Sequence, residues 1–395
     1  MRAAWLSLLA ATAASAGPTH DTLKPAELDD PCVDTTCKHH ALDAFRAALA
    51  AQKAGTERHA LRVSYFGDSV TADDHLTNDL RTRLQALVGN GGPGFVFAAP
   101  PHPFNQHRAI TREVSDGWIA YGISTVVPPD HLLGLGGSAE TDGGGTIRIA
   151  PLAAVSMIDV HYLAQPHGGR LEVAADGKVV ATTDTAGERK RGAFLAVELP
   201  DGTKHLELRA HGRVRLFGAT IEAKTGAVVD NLGVVNATAK AMRTNDLDDH
   251  LRNQLAHRAP DLVVVMYGTN EAEWLHARGA GMAEHEQLVG ELLATVRAAD
   301  PDASCLVVSP LDQIDWRDEK LPPRDSIPAM VEAQRRAATA AGCAFWDVYA
   351  WMGGRGSSAH WHARGWLARD YQHPTTEGDE RLAEALYEGL VGASN

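Results

Sequence analysis

The strongest constraint on this chain is an alternation of short apolar runs and amphipathic helical stretches that stands on both sides of a long β-rich interruption. Near the N-terminus, ALRVSYFGDS is an apolar run broken at Gly67, and a helical stretch follows from about Ala72 to Val88. The alternation resumes with DLVVVMYGTN, a helix through HEQLVGELLATVRAA, then SCLVVSP, a helix through AMVEAQRRAATAA, GCAFWDV and a last helix from ERLAEALYEGL. Nearly continuous apolar strands separated by helices imply a parallel sheet covered on both faces. The expected core is therefore a three-layer α/β/α domain.

The interruption reads differently. TIRIAPL, SMIDVHYLA, RLEVAADGKVVATT, AFLAVELPDGTKHLELRA and RVRLFGATIEA are short β-rich runs, and Asp176-Gly177 and Asp201-Gly202 supply the dipeptide that hairpins needing positive φ favour. An inserted β-sandwich follows. A second unit also suits a chain of 395 residues, because single cores stop growing at roughly 250 to 300 residues. The expected organisation is a signal peptide at 1–16, an N-terminal segment with a cysteine loop and a helix at 17–57, the α/β domain at 58–100 and 223–395, and the β-rich insertion at 101–222. In the N-terminal segment Leu42, Phe45 and Leu49 recur at helical spacing ahead of Gly55.

The opening MRAAWLSLLAATAASAG places Arg2 before an apolar run that ends at Ala14-Ser15-Ala16, which predicts cleavage after Ala16 and export to the periplasm or beyond. No later stretch approaches the ~20 apolar residues of a transmembrane helix. The formal net charge of -13 argues against a nucleic-acid partner, because phosphate binding needs clustered Lys and Arg. In an exported chain Cys32 and Cys37 are expected to form a local disulfide. With His39 and His40 they are the alternative zinc set, but the spacing matches no usual structural zinc pattern. Cys305 and Cys343 lie in apolar runs, where buried free thiols are the ordinary expectation; a bridge between them stays open. His360 and His362 point apart on a helix. No metal and no cofactor are expected.

A serine hydrolase must place its hydroxyl on an exposed turn beside a base. Ser69 follows a strand in Gly67-Asp68-Ser69-Val70, at the carboxyl end where open α/β sheets bind ligands. Asp370-Tyr371-Gln372-His373 precedes the capping-box pattern Thr376-Glu377-Gly378-Asp379. His373 can serve as base, and Asp370 can hold its other ring nitrogen. Oxyanion donors are expected from the Asn270 side chain, the Gly233 N–H and the Ser69 N–H. Each has a plainer alternative: Ser69 or Asn270 as a helix N-cap, Gly233 as a loop glycine, His373 as a loop histidine. Asp68 is read as holding the turn, and Glu271 and Glu273 as supporting or surface residues.

Taken in order, GDSVTADD, NLGVVNATA, YGTNEAE and DYQHPTTEGD resemble the four blocks of the SGNH (GDSL-like) hydrolase superfamily. The resemblance implies Ser69 as nucleophile, Gly233 and Asn270 as oxyanion donors, His373 as base and Asp370 as its orienting carboxylate. Val70 stands where the GDSL form has Leu. The β-rich insertion and GNGGPGFVF further resemble bacterial peptidoglycan O-acetylesterases, which implies an acylated polysaccharide as substrate. The insertion's Trp118, Tyr121 and Tyr162 are aromatics of a kind that more often pack than bind sugar. Two rival functions remain at this point: an O-acyltransferase acting on a glycan, and a carbohydrate-binding protein without catalysis.

Overall fold

The computed structural model describes residues 24–243, 247–278 and 281–392; the signal segment expected at 1–16 lies outside the described residues. The central sheet runs in the order Leu28–Asp29, Ala344–Trp346, Ser304–Val308, Leu262–Met266, Leu61–Gly67, Ala227–Gly233. All its pairings are parallel except that of the first, short strand. Side chains of a strand alternate between faces, so the apolar runs feed two cores at once. Val63, Tyr65, Val264, Met266, Leu306 and Val308 meet Phe45, Leu49, Leu80, Leu84, Leu382 and Leu386 from the helices Asp43–Lys53, His75–Val88 and Thr376–Val391. Phe66, Val263, Val265, Val307 and Phe345 face the other way, onto Leu255, Val289, Leu293, Met330 and Val331 of the helices His250–Arg258, Met282–Ala299 and Ser326–Ala340. The domain is a three-layer α/β/α sandwich.

Strand order also decides the cysteines. Ser304–Val308 and Ala344–Trp346 are neighbours with Leu306 opposite Ala344, which sets Cys305 beside Cys343. The two are joined by a disulfide across a Cα–Cα distance of 4.7 Å. The expectation of free thiols is thus corrected: spacing along the chain did not reveal that the two runs would pair. Cys32 and Cys37 are bonded as well.

Between the two parts of the α/β domain lie two antiparallel sheets. One runs Lys178–Asp184, Arg170–Ala175, Leu206–His211, Gly145–Pro151, Ile110–Val114; the other runs Arg191–Glu198, Met157–Ala164, Val214–Glu222, Gly137–Thr141, Ile119–Gly122, with Gly94–Phe97 also paired to Val214–Glu222. Their inner faces share a core that includes Ile147, Ile149, Val160, Leu171, Val173, Leu208 and Leu216. Asp176 and Gly177 turn a hairpin at φ 45° and 82°, the left-handed conformation that the dipeptide tolerates.

The sandwich is fastened to the α/β domain by an apolar seam and a buried ionic knot. Phe95, Phe97, Leu133 and Leu135 join the same core as Phe66, Leu232 and Leu255. Beneath them the Asp230 carboxylate, fully buried, accepts from Arg258 Nε (2.8 Å) and Nη2 (3.0 Å), Ser64 Oγ (2.8 Å) and the Phe95 N–H (2.7 Å). Arg258 also pairs with Glu222 at 2.7 Å, on the last residue of a sandwich strand. Removing one partner of a buried pair leaves the other charge uncompensated. Arg258→Met is therefore expected to lower unfolding stability by about 3–5 kcal/mol in urea denaturation; a midpoint within error of the parent would contradict this reading of the junction.

Candidate active site

Gly67 lies opposite Gly233 on one neighbouring strand and opposite Met266 on the other. Three parallel strands thus end level, and the segments leaving them carry Ser69, Asn236 and Asn270. Asp68 caps the short helix Ser69–Ala72, its carboxylate accepting from the Val70 N–H at 3.0 Å. Burial pushes the Asp68 carboxyl up. A Cβ at Gly67 would stand 2.4 Å from Thr71 Oγ1, and one at Gly233 2.2 Å from the same atom. The helical turn can settle on the strand ends only because both positions lack a side chain.

Ser69 Oγ lies 2.8 Å from His373 Nε2, and His373 Nδ1 lies 2.7 Å from Asp370 Oδ2. The loop before the last helix makes this possible. Asp370 Oδ1 accepts from the backbone N–H groups of Gln372 (3.0 Å) and His373 (3.1 Å), and Tyr371, which follows Asp370, takes φ 55°. His362, on the helix Ser357–Ala363, reaches Leu367 O from Nδ1 at 3.0 Å and sets its ring 4.5 Å from that of Tyr371. It supports the loop. The hydrogen bond that His373 donates to Asp370 raises the His373 pKa above its ordinary value, against the opposing effect of burial, and Asp68 and Asp73 add to the rise. Burial pushes Asp370 up, but the His373 ring and the two backbone donors outweigh it and hold the carboxyl at about 2.

The three expected oxyanion donors fare differently. Asn270 Nδ2 donates to Ala237 O at 2.9 Å, which uses one of its two hydrogens and leaves the other available. Gly233 is turned inward: its N–H donates to Asn231 Oδ1 at 3.0 Å and its carbonyl accepts from Asn105 Nδ2 at 2.6 Å. It does not line the cleft around Ser69, whereas Asn236, with φ 63°, does. Glu271 is buried, its Oε1 accepts from the Ala239 N–H at 3.0 Å, and burial pushes its carboxyl up to about 7. It pins the same segment, Ala237 to Ala239, that Asn270 holds.

The cleft has a volume of about 500 Å³ and brings together Ser69, Asn270, Asp370 and His373 with Phe104 and Trp316. Phe104 and Trp316 are 71% and 45% exposed, conspicuous for large apolar side chains. Arg317 lies over the Trp316 ring at 5.0 Å and pairs with Glu273 at the same rim. Sequence reasoning missed both aromatics, although Trp316 is an isolated aromatic in the polar stretch DQIDWRDEK. The aromatics noted in the insertion serve packing: Tyr162 is buried in the sandwich core, Trp118 packs against it, and Tyr121 packs against the core shared with the α/β domain.

A family model for GDSL-like lipases/acylhydrolases matches residues 200–381, a stretch that holds Gly233, Asn270, Asp370 and His373 but not Ser69, which the insertion separates from it. A solved structure of a peptidoglycan O-acetylesterase superposes with a TM-score of 0.76 at 25% identity, covering 88% of this chain and 95% of that one. An acetylxylan esterase of Geobacillus stearothermophilus gives a TM-score of 0.32 at 18% identity over 43% of this chain and 74% of its own. Among curated proteins, a 4-coumarate–CoA ligase of Halorhodospira halophila is 33% identical over 81 residues, 20% of this chain and 21% of the ligase; the match spans about a fifth of that protein. With the α/β/α fold and the ordered polar site, the family match over residues 200–381 and the superposition over 88% of the chain support an ester-bond hydrolase that resembles the SGNH (GDSL-like) hydrolases and, in architecture, a peptidoglycan O-acetylesterase.

Proposed function

We propose that the protein is an exported serine esterase that removes O-acetyl or other short acyl groups from a polysaccharide, peptidoglycan being the leading substrate. The observation that carries the catalytic assignment is the unbroken hydrogen-bonded chain from Ser69 Oγ through both nitrogens of His373 to Asp370 Oδ2. With Nδ1–H donated to Asp370, Nε2 presents its lone pair to the serine hydroxyl. Ser69 Oγ attacks the ester carbonyl carbon as its proton passes to Nε2. The oxyanion is met by the Ser69 N–H, the second Nδ2 hydrogen of Asn270 and the N–H of Asn236. Gly233, its own N–H already engaged by Asn231, serves by making room for Thr71. Collapse expels the sugar hydroxyl, protonated by Nε2, and water repeats the sequence on the acyl-enzyme.

The glycan assignment rests on Phe104 and Trp316, whose exposed rings offer flat apolar faces beside the nucleophile, and on likeness to an esterase that acts on peptidoglycan. Hydrolysis is favoured over acyl transfer because the His373 and Asp370 side chains remain 39% and 36% exposed, which leaves water free to reach the acyl-enzyme. Export rests on the N-terminal segment and on the envelope location of that polymer. No described helix is long and apolar enough to cross a membrane.

Ser69→Ala and His373→Ala are expected to lower kcat on 4-nitrophenyl acetate and on an O-acetylated glycan by on the order of 10⁴- to 10⁶-fold, and Asn270→Ala by about 10²- to 10³-fold; variants with parental rates would remove the assignment. His373 acts as base only when neutral, and its pKa is raised from the ordinary 6.5. The pH profile of kcat/KM should therefore rise through a midpoint above 6.5, and in Asp370→Asn the midpoint should move down as the plateau falls. A midpoint that stays put would separate Asp370 from the base. Trp316→Ala should raise KM for the acetylated glycan while leaving 4-nitrophenyl acetate unaffected; equal effects on both would argue against a sugar platform.

A further inference from the structure

Away from the cleft, Asp159 and His161 on the sandwich strand Met157–Ala164 face His257 on the helix His250–Arg258, and one ligand atom from each lies within 4.8 Å of the other two. We propose that these three residues form a binding site for a divalent transition-metal cation of the zinc class, which clamps the inserted sandwich to the α/β domain.

The arrangement has the parts such a site needs. His161 is fully buried, and its Nδ1 meets Gln254 Oε1 at 2.9 Å. The amide oxygen can only accept, so the ring proton sits on Nδ1 and Nε2 carries the lone pair. Nε2 has no hydrogen-bond partner although it is buried. A ligating histidine ordinarily donates its other N–H to an acceptor in just this way, whereas an unused buried lone pair is costly. Asp159 keeps 13% of its side chain exposed; its Oδ2 meets His257 Nε2 at 2.6 Å, while its Oδ1 is buried without a partner. Phe194 stacks on the His257 ring at 3.4 Å and 8°, fixing its plane. Nitrogen and oxygen ligands at zinc distances sit about 3.3 Å apart in a tetrahedron, which side-chain rotation can reach. His257 is one-third exposed, so water can complete the coordination.

Charge permits it. Arg258 acts on both Asp159 and His161 but is neutralised by Glu222 and Asp230. Cation binding through His257 Nε2 requires the ring proton to sit on Nδ1 instead, and it replaces the His257–Asp159 hydrogen bond with one metal bond from each residue. Among the described residues a second cluster of this type, Cys32, Cys37 and His40, has its sulfurs consumed by the disulfide.

The test uses full-length mature protein stripped with chelator and titrated with Zn²⁺ and Co²⁺, with His257→Ala and Asp159→Asn beside it. Both substitutions lie at the partly exposed side, so cooperative melting reports their folding independently of esterase activity. The proposal predicts one tightly bound Zn²⁺ per chain, a tetrahedral Co²⁺ absorption spectrum, and a Tm rise with Zn²⁺. Affinity should fall at least about 10-fold, and the Tm rise should vanish, in each variant. No stoichiometric metal in the parent, or metal and Tm rise that survive both substitutions, would overturn it and leave an ordinary His–Asp contact. Because none of the three residues touches the cleft, this outcome is independent of whether Ser69 is the nucleophile.

Discussion

The site depends on the register in which Leu61–Gly67 lies between its two parallel neighbours. With Gly67 opposite both Gly233 and Met266, the chain leaves the three strands at one level. Groups hundreds of residues apart therefore converge: Ser69 and His373 are separated by 304 positions yet lie 2.8 Å apart. A one-residue slip would reverse the face of every side chain on the strand and move Ser69 off the cleft. Two glycines protect the arrangement from above, since Thr71 occupies the space that a Cβ at either would need.

This register has to survive a large interruption between the first strand and its neighbour at Ala227–Gly233. Asp230, in the middle of that neighbour, binds Ser64 of the first strand, the Phe95 N–H at the entry to the sandwich, and Arg258 from a covering helix. Arg258 in turn holds Glu222 at the exit. The insertion is thus closed at both ends onto the strand pair that orders the turn at Ser69. A mechanical link of this kind lets an added domain be carried without loosening the turn at Ser69.

Much of this was legible in the sequence because the physics involved is local or periodic. Apolar runs such as DLVVVM, rich in β-branched residues, suit central strands of a covered sheet, and the DG turns mark hairpins. The polar motifs after the strands and before the last helix named Ser69, Asn270, Asp370 and His373, which the fold gathers around one cleft. What escaped was whatever depends on side-chain direction or on strand neighbours. Gly233 and Asn236 are three positions apart in one loop, and only the fold shows that the first N–H turns to Asn231 while the second residue faces the cleft. Cys305 and Cys343 become partners through strand order. Phe104 and Trp316 sit on loops without periodicity, and Asp159 and His257 meet across a domain junction from 98 residues apart.

The central claim is that Ser69 forms a covalent acyl-enzyme within this cleft. Its most direct test is rapid acid quenching of the protein during turnover of an O-acetyl ester, followed by intact mass and peptide mapping. The account predicts one acetyl group per chain, located on the peptide containing Ser69 and absent in Ser69→Ala. Acetyl groups on another residue, or continued turnover by Ser69→Ala with no adduct in the parent, would contradict it.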